Sequence, residues 1–238
     1  MIVMHMSGAY VPQDFYKECG QVVDCRHIQG TNCYCDDEAK AALRQQIKEF
    51  PAEDIHFLDS GNYHYLSLLW LEKLDEPFSL VLFDHHPDMQ PPSFGEITSC
   101  GGWVKEVLDS NEHIKRVYLV GVNEKLLREL EMDSRVVIGT EELDEDEYPV
   151  YISFDKDVLP KTDARCDWDQ GTLALDEAER IIKSILEKHR VLGMDVCGED
   201  NKWEQQTDRN QITAINNATN ARLFELWKTK SDAEASLS

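Results

Sequence analysis

No stretch of this 238-residue chain stays apolar for the roughly 20 residues a helix needs to cross a bilayer. The opening MIVMHMSGAY has no basic flank before its short apolar stretch, so it does not read as a secretory leader. Basic residues are scarce: 24 Lys and Arg stand against 46 Asp and Glu, a formal charge of -22. Such a chain repels phosphate backbones, which argues against nucleic acid as its main partner. Cysteines in C-x-x-C spacing are missing; Cys19, Cys25, Cys33 and Cys35 include one C-x-C, a weak pattern for zinc. Seven cysteines, an odd number without an export signal, are expected as separate reduced thiols. Internal repeats and linker-like segments are also lacking, so one domain over residues 1–230 is expected, with a polar tail, 231–238, that frays. What is present is enough apolar residue, 42%, to keep the chain from being disordered, and enough length to bury a large core. The expectation is a cytoplasmic, acidic protein without a membrane or nucleic-acid partner; a homo-oligomer is compatible with it.

Apolar runs alternate with helical patterns along most of the chain. Strands are expected at Ile2–Met6, Val22–Asp24, Ile55–Leu58, Ser79–Phe83, Lys115–Gly121, Pro149–Phe154 and Val191–Val196. Helices are expected at Asp36–Phe50, Tyr65–Leu74, Gly102–Leu108, Glu124–Leu130, Leu175–His189 and Asn210–Trp227. The acidic run Glu141–Glu147 reads as a solvated loop. Alternation of this kind implies an α/β fold, three layers (α/β/α) around a mostly parallel central sheet.

Chemistry concentrates at two strand ends. Leu80–Met89 reads LVLFDHHPDM, an apolar strand running into Asp84, His86 and Asp88 at spacings of two. Alternate residues of an extended chain share a side, so these three converge while His85 faces away. The C-terminal edge of an open α/β sheet is also where ligands bind. Pro149–Asp157, PVYISFDKD, repeats the arrangement with Asp155 and Asp157. Carboxylates packed this closely repel unless they protonate or cations neutralise them. Hard oxygen donors with a little imidazole suit Mn²⁺ better than Zn²⁺, and a carboxylate bridging two ions about 3.5 Å apart suits two-metal hydrolysis.

These segments resemble the signatures of the arginase–agmatinase–formiminoglutamase family, the ureohydrolases, of which this chain would be a short, divergent member. Gly61-Asn62-Tyr63-His64 is similar to the family's Gly-Gly-Asp-His stretch, Asp84-His85-His86-Pro87-Asp88 to Asp-x-His-x-Asp, and Ser153-Phe154-Asp155-Lys156-Asp157 to Ser-x-Asp-x-Asp. Gly171–Glu177 and the strand Gly193–Asp195 extend the likeness, which covers about Ile55–Asn201. The resemblance implies an arginase-like fold and two Mn²⁺ ions. One would be held by His64, Asp84, Asp88 and Asp155, the other by Asp84, His86, Asp155 and Asp157, with Asp84 and Asp155 bridging. It further implies hydrolysis of a C–N bond in a linear amidine, a guanidino or formimino compound, by a metal-bridging hydroxide that Asp88 orients. The substrate would be a small cationic amidine.

Departures from the family pattern fall on substrate recognition. The family places Asp-x-x-Glu on the late strand, the Glu holding the guanidinium group; here Gly198 follows Asp195-Val196-Cys197 and Glu199 comes one place late. A one-residue bulge would bring Glu199 into that catalytic, substrate-binding role. Ala174 stands where the family has Thr, and the loop Thr98–Trp103 lacks the His that shuttles protons in arginase. Three other readings stay open: a non-catalytic metal-binding member of the fold, a phosphoesterase of the Asp-His-His type, and a zinc deacetylase.

Overall fold

Runs such as Phe78–Phe83 and Val150–Asp155 are buried at every position, which requires a strand covered on both faces. The computed structural model describes residues 1–92, 95, 97–128 and 130–237 and sets these two runs side by side within one sheet. In chain order its elements are β1 (Ile2–His5), β2 (Gln21–Asp24), β3 (Tyr34–Cys35), α1 (Asp37–Ile47), β4 (Ile55–Phe57), α2 (Leu66–Leu71), β5 (Phe78–Phe83), β6 (Thr98–Ser99) and α3 (Trp103–Ser110). There follow β7 (Ile114–Val120), α4 (Glu124–Leu127), β8 (Val136–Ile138), β9 (Val150–Asp155), α5 (Leu175–Lys188), β10 (Val191–Cys197) and α6 (Arg209–Leu237).

Eight strands form the sheet in the order β2-β1-β4-β10-β9-β5-β7-β8, every pairing parallel, while β3 and β6 make a separate antiparallel ribbon. Helices cover both faces. Leu43, Trp70, Trp103 and Val107 from α1, α2 and α3 bury one side; Ala178, Ile182, Leu223 and Trp227 from α5 and α6 bury the other. The three-layer architecture is the one expected. The cap of α1 is of the expected kind too: Asp36 accepts from Ala39 N at 2.8 Å, with Asp37 and Glu38 in the first turn.

Two local expectations need correcting. The acidic run is more than a solvated loop: it contains a short 3₁₀ turn, Leu143 is buried, and Asp146 accepts from Ser79 Oγ (2.6 Å) and Tyr118 OH (2.9 Å). One apolar residue inside the run anchors it to the sheet end. Helix α4 stops at Leu127, short of Leu130. The tail 231–238 lies outside the residues whose side chains are described.

The connection from β4 to β5 skips two places in the sheet, which β10 and β9 later fill. Such a reversal of strand order opens a crevice at the carboxyl ends of the strands.

Candidate metal centre

The residues singled out in the sequence arrive at that crevice from different strands. After β4, a 3₁₀ turn (Gly61–Tyr63) delivers His64. The turn must pass close to β9: a Cβ on Gly61 would lie 3.1 Å from Asp155 Oδ2 and 3.0 Å from the Trp168 ring. The loop after β5 carries Asp84, His86 and Asp88, the last in the left-handed region at φ 48. Asp155 ends β9, and its Oδ1 accepts from Asp157 N at 2.8 Å, which curls Asp157 back toward the loop. His85 N donates to Asp157 Oδ1 (3.0 Å), tying the two strand ends together. The His85 ring faces away, against Asn123.

Two overlapping clusters result. His64 Nδ1 lies 3.1 Å from Asp84 Oδ2, 3.0 Å from Asp88 Oδ2 and 3.5 Å from Asp155 Oδ2. His86 Nδ1 lies 2.8 Å from Asp157 Oδ2 and 3.5 Å from Asp84 Oδ1. Asp84 therefore straddles the clusters, one oxygen toward each imidazole, as a bridging ligand must. Burial pushes the carboxyls of Asp84, Asp88 and Asp155 upward. Burial, then Asp84, pushes Asp157 up to about 7. Burial opposes charge on both imidazoles, yet Asp84 and Asp88 outweigh it at His64, and Asp157 with Asp84 raise His86 to about 11.

The donor set fits divalent cations. His64 is 1% exposed and its Nδ1 makes no hydrogen bond, although three carboxylates surround it at near-contact distance. An imidazole nitrogen with neighbours but no aligned partner is oriented for something between them. His64 Nε2 is held by Ser153 Oγ (2.8 Å), which fixes the ring so that Nδ1 points inward. His64, Asp84 and Asp88 could hold one ion; Asp84, His86 and Asp157 could hold another.

Above the clusters opens a cavity of about 550 Å³, with Asp84, His86, Asp88, Asp155 and Asp157 at its base. Its upper wall mixes apolar groups (Pro91, Leu126, Leu130) with Tyr34, Gln90 and Ser99. Trp168 leans over the opening, its indole donating to Asn62 Oδ1 at 2.9 Å and meeting the His86 ring edge-on. The loop Thr98–Trp103 both enters α3 and lends Ser99, Cys100 and Gly101 to the wall.

Glu199 is placed elsewhere. The register of β10 against the β4 side is unbroken from the Val196–Phe57 pair to the Glu199–Ser60 bridge, so no bulge turns Glu199 into the cavity. Glu199 is 1% exposed, its carboxylate paired with the fully buried Lys156 and accepting from Asn220 Nδ2 (2.7 Å), Gln13 Nε2 (2.8 Å) and Asn216 Nδ2 (2.8 Å).

Three contributors escape sequence reasoning. Trp103 Nε1 donates to Asp88 Oδ2 at 2.7 Å; buried indoles commonly find such a partner, but which one depends on the fold. Ser153 was visible only as a letter of a motif. Cys197 Sγ sits 3.0 Å from Asp155 Oδ2, and strand periodicity gives no hint of it.

A model of the arginase family matches residues 6–222. A Thermotoga maritima relative described as an uncharacterized protein is 27% identical over 206 residues, 85% of this chain and 80% of its own length. Among solved structures, formimidoylglutamase from Bacillus subtilis superposes with a TM-score of 0.64 at 18% identity, over 89% of this chain and 71% of that one. Agmatine ureohydrolase of Thermoplasma volcanium gives 0.64 at 16% identity, over 99% and 90%. Arginase from Bacillus caldovelox gives 0.60 at 16%, over 94% and 96%. At these identities the likeness to solved structures is one of fold.

Proposed function

The chain belongs to the arginase family, and on that premise we propose that it is a binuclear metal hydrolase cleaving a C–N bond of a linear amidine, a guanidino or formimino compound. The observation that carries this reading is the pair of clusters sharing Asp84, with His64 Nδ1 buried among three carboxylates and bonded to none. His64, Asp84, Asp88 and Asp155 would hold one ion, and Asp84, His86, Asp155 and Asp157 the other. Carboxylate-rich donors favour Mn²⁺. Two such ions would make water nucleophilic near neutral pH and draw electrons from the amidine carbon.

The side chains supply the rest. Trp103 pins Asp88 through Oδ2, which leaves Oδ1 to hold the attacking water and to pass its proton to the departing amine. Pro91, Leu126 and Leu130 offer apolar wall to the chain of the substrate, and Trp168 limits water at the mouth. Arginine is not the substrate we favour, because Glu199, the carboxylate expected to hold a guanidinium, is committed to Lys156 and three amides.

The test is to load the protein with Mn²⁺ and screen guanidino and formimino compounds for release of urea, formamide or ammonia. Release that disappears in Asp84→Asn supports the reading. Two bound ions with no release across the panel would support a metal-binding member without this chemistry.

A further inference from the structure

Cys197 is the last residue of β10, and the parallel register sets it beside Asp155, the last residue of β9. The next residue holds it there. Gly198 has φ +89, and a Cβ on it would fall 2.4 Å from Asp155 Oδ1 and 2.7 Å from Lys156 N. Only glycine lets the chain pass this close to Asp155, and the passage leaves the Cys197 sulfur 3.0 Å from Asp155 Oδ2. The thiol, Asp155 and His64 each offer a ligand atom within 4.8 Å of the others, and all three are buried. His64 Nδ1, without a hydrogen bond, lies 3.5 Å from the same Asp155 Oδ2 that the thiol reaches.

Resting on the metal-centre reading above, we propose that Cys197 Sγ is a ligand of the ion on the His64 side, giving that position a sulfur donor and a preference for a softer cation such as Zn²⁺ or Fe²⁺. Thiolate and imidazole select zinc and iron, whereas carboxylate-rich sets select Mn²⁺. The two positions therefore differ in kind. The His86 side, with Asp84 and Asp157, stays hard; the His64 side takes nitrogen, oxygen and sulfur together. Mn²⁺ would then fill both positions but match the His86 side better than the His64 side. The competing account is that the thiol only donates a hydrogen bond to Asp155.

Cobalt distinguishes them, because a thiolate bound to Co²⁺ absorbs in the near ultraviolet by charge transfer and an S–H donor does not. The full-length chain, freed of metal and loaded with Co²⁺, should show this band, and Cys197→Ser should abolish it while Cys33→Ser, at the cavity mouth, retains it. Cys197→Ser should also lower Zn²⁺ affinity at one of the two positions by about tenfold or more, with Mn²⁺ affinity little changed. Two Co²⁺ per chain without the band in the wild type would overturn the sulfur ligand and leave the metal centre standing. A band that survives Cys197→Ser would overturn it equally. Failure to bind Co²⁺, Zn²⁺ or Mn²⁺ at all would overturn the metal-centre reading and this one together.

Discussion

Glu199→Gln and Lys156→Met should be unequal in cost, and the inequality follows from who else each partner can reach. Lys156 is fully buried, and among the described residues its ammonium reaches one neighbour beyond Glu199, Asn220 Oδ1, at 3.0 Å. Glu199 keeps three amide donors, from Gln13, Asn216 and Asn220, if the lysine is lost. Removing the charge of Glu199 leaves a buried cation uncompensated, a change that costs about 3–5 kcal/mol. A glutamine there also replaces one acceptor oxygen with a donor, stranding the donors that oxygen served. Lys156→Met removes charge-assisted hydrogen bonds to Glu199 and to Asn220 Oδ1 but leaves a carboxylate that three amides still solvate, so its loss should be the smaller, about 1.5–3 kcal/mol. Urea unfolding of the metal-free chain reads both; with a slope of about 2–3 kcal/mol/M, Glu199→Gln should move the midpoint down by about 1–2 M. A Glu199→Gln midpoint within 0.3 M of wild type (roughly 1 kcal/mol), or a larger loss for Lys156→Met, refutes the reasoning. Steady-state kinetics offers an independent check. A substrate-binding Glu199 would raise KM with little change in stability, the reverse of what the buried network requires.

Other consequences can be checked more briefly. Metal uptake must expel the proton that the His86–Asp157 pair shares in the metal-free protein, where Asp157 and Asp84 raise His86 to about 11. Protons compete with the ions for these groups, so Mn²⁺ affinity should rise with pH through neutrality. Calorimetry in buffers of different ionisation heat should register proton release at pH 7; no release, or affinity that falls as pH rises, would contradict the shifts. Trp103→Phe removes the 2.7 Å bond to Asp88 while keeping most of the packing, and should weaken Mn²⁺ binding by about 10–100-fold; unchanged titration curves would show that Asp88 needs no anchor. Gly198→Ala forces a Cβ against Asp155 and a left-handed backbone on alanine, and should cost about 1–3 kcal/mol in a urea melt. A loss under about 0.5 kcal/mol would mean that the strand end yields easily.

Sheet structure was legible where burial on both faces wrote a mainly apolar run, as at β5, β9, β10 and Val117–Val120 of β7. It was not legible at β8, whose three residues are too few for a pattern, nor at β3 and β6, where the pairing of two-residue segments depends on long-range contact. The convergence of Asp84, His86 and Asp157 could be read because spacing by two at a strand end is a local property. Glu199 could not be placed the same way. Its direction depends on the turn at Gly198, on the lysine between the two aspartates of the Ser-x-Asp-x-Asp motif, and on two asparagines a helix away. The partnership of Cys197 with Asp155 likewise needs the β9–β10 register, which no single strand contains.

The strand order also has a consequence for how the molecule is assembled during synthesis. Strands β2, β1 and β4 can pair as soon as they emerge, and so can β5, β7 and β8, but neither ribbon touches the other through a strand ladder. Both wait, each with an open edge, for β9 and β10 to be made and to slide between them as a keystone pair. His64 sits on the first ribbon and Asp84, His86 and Asp88 on the second, and before β9 and β10 are made these halves meet only outside the central sheet, as in the β3–β6 ladder and the Lys40–Glu106 pair. In the proposed metal centre Asp155 and Asp157 come last, so a ribosome-bound chain ending before Val150 would hold two unfinished sheets and lack both of these donors.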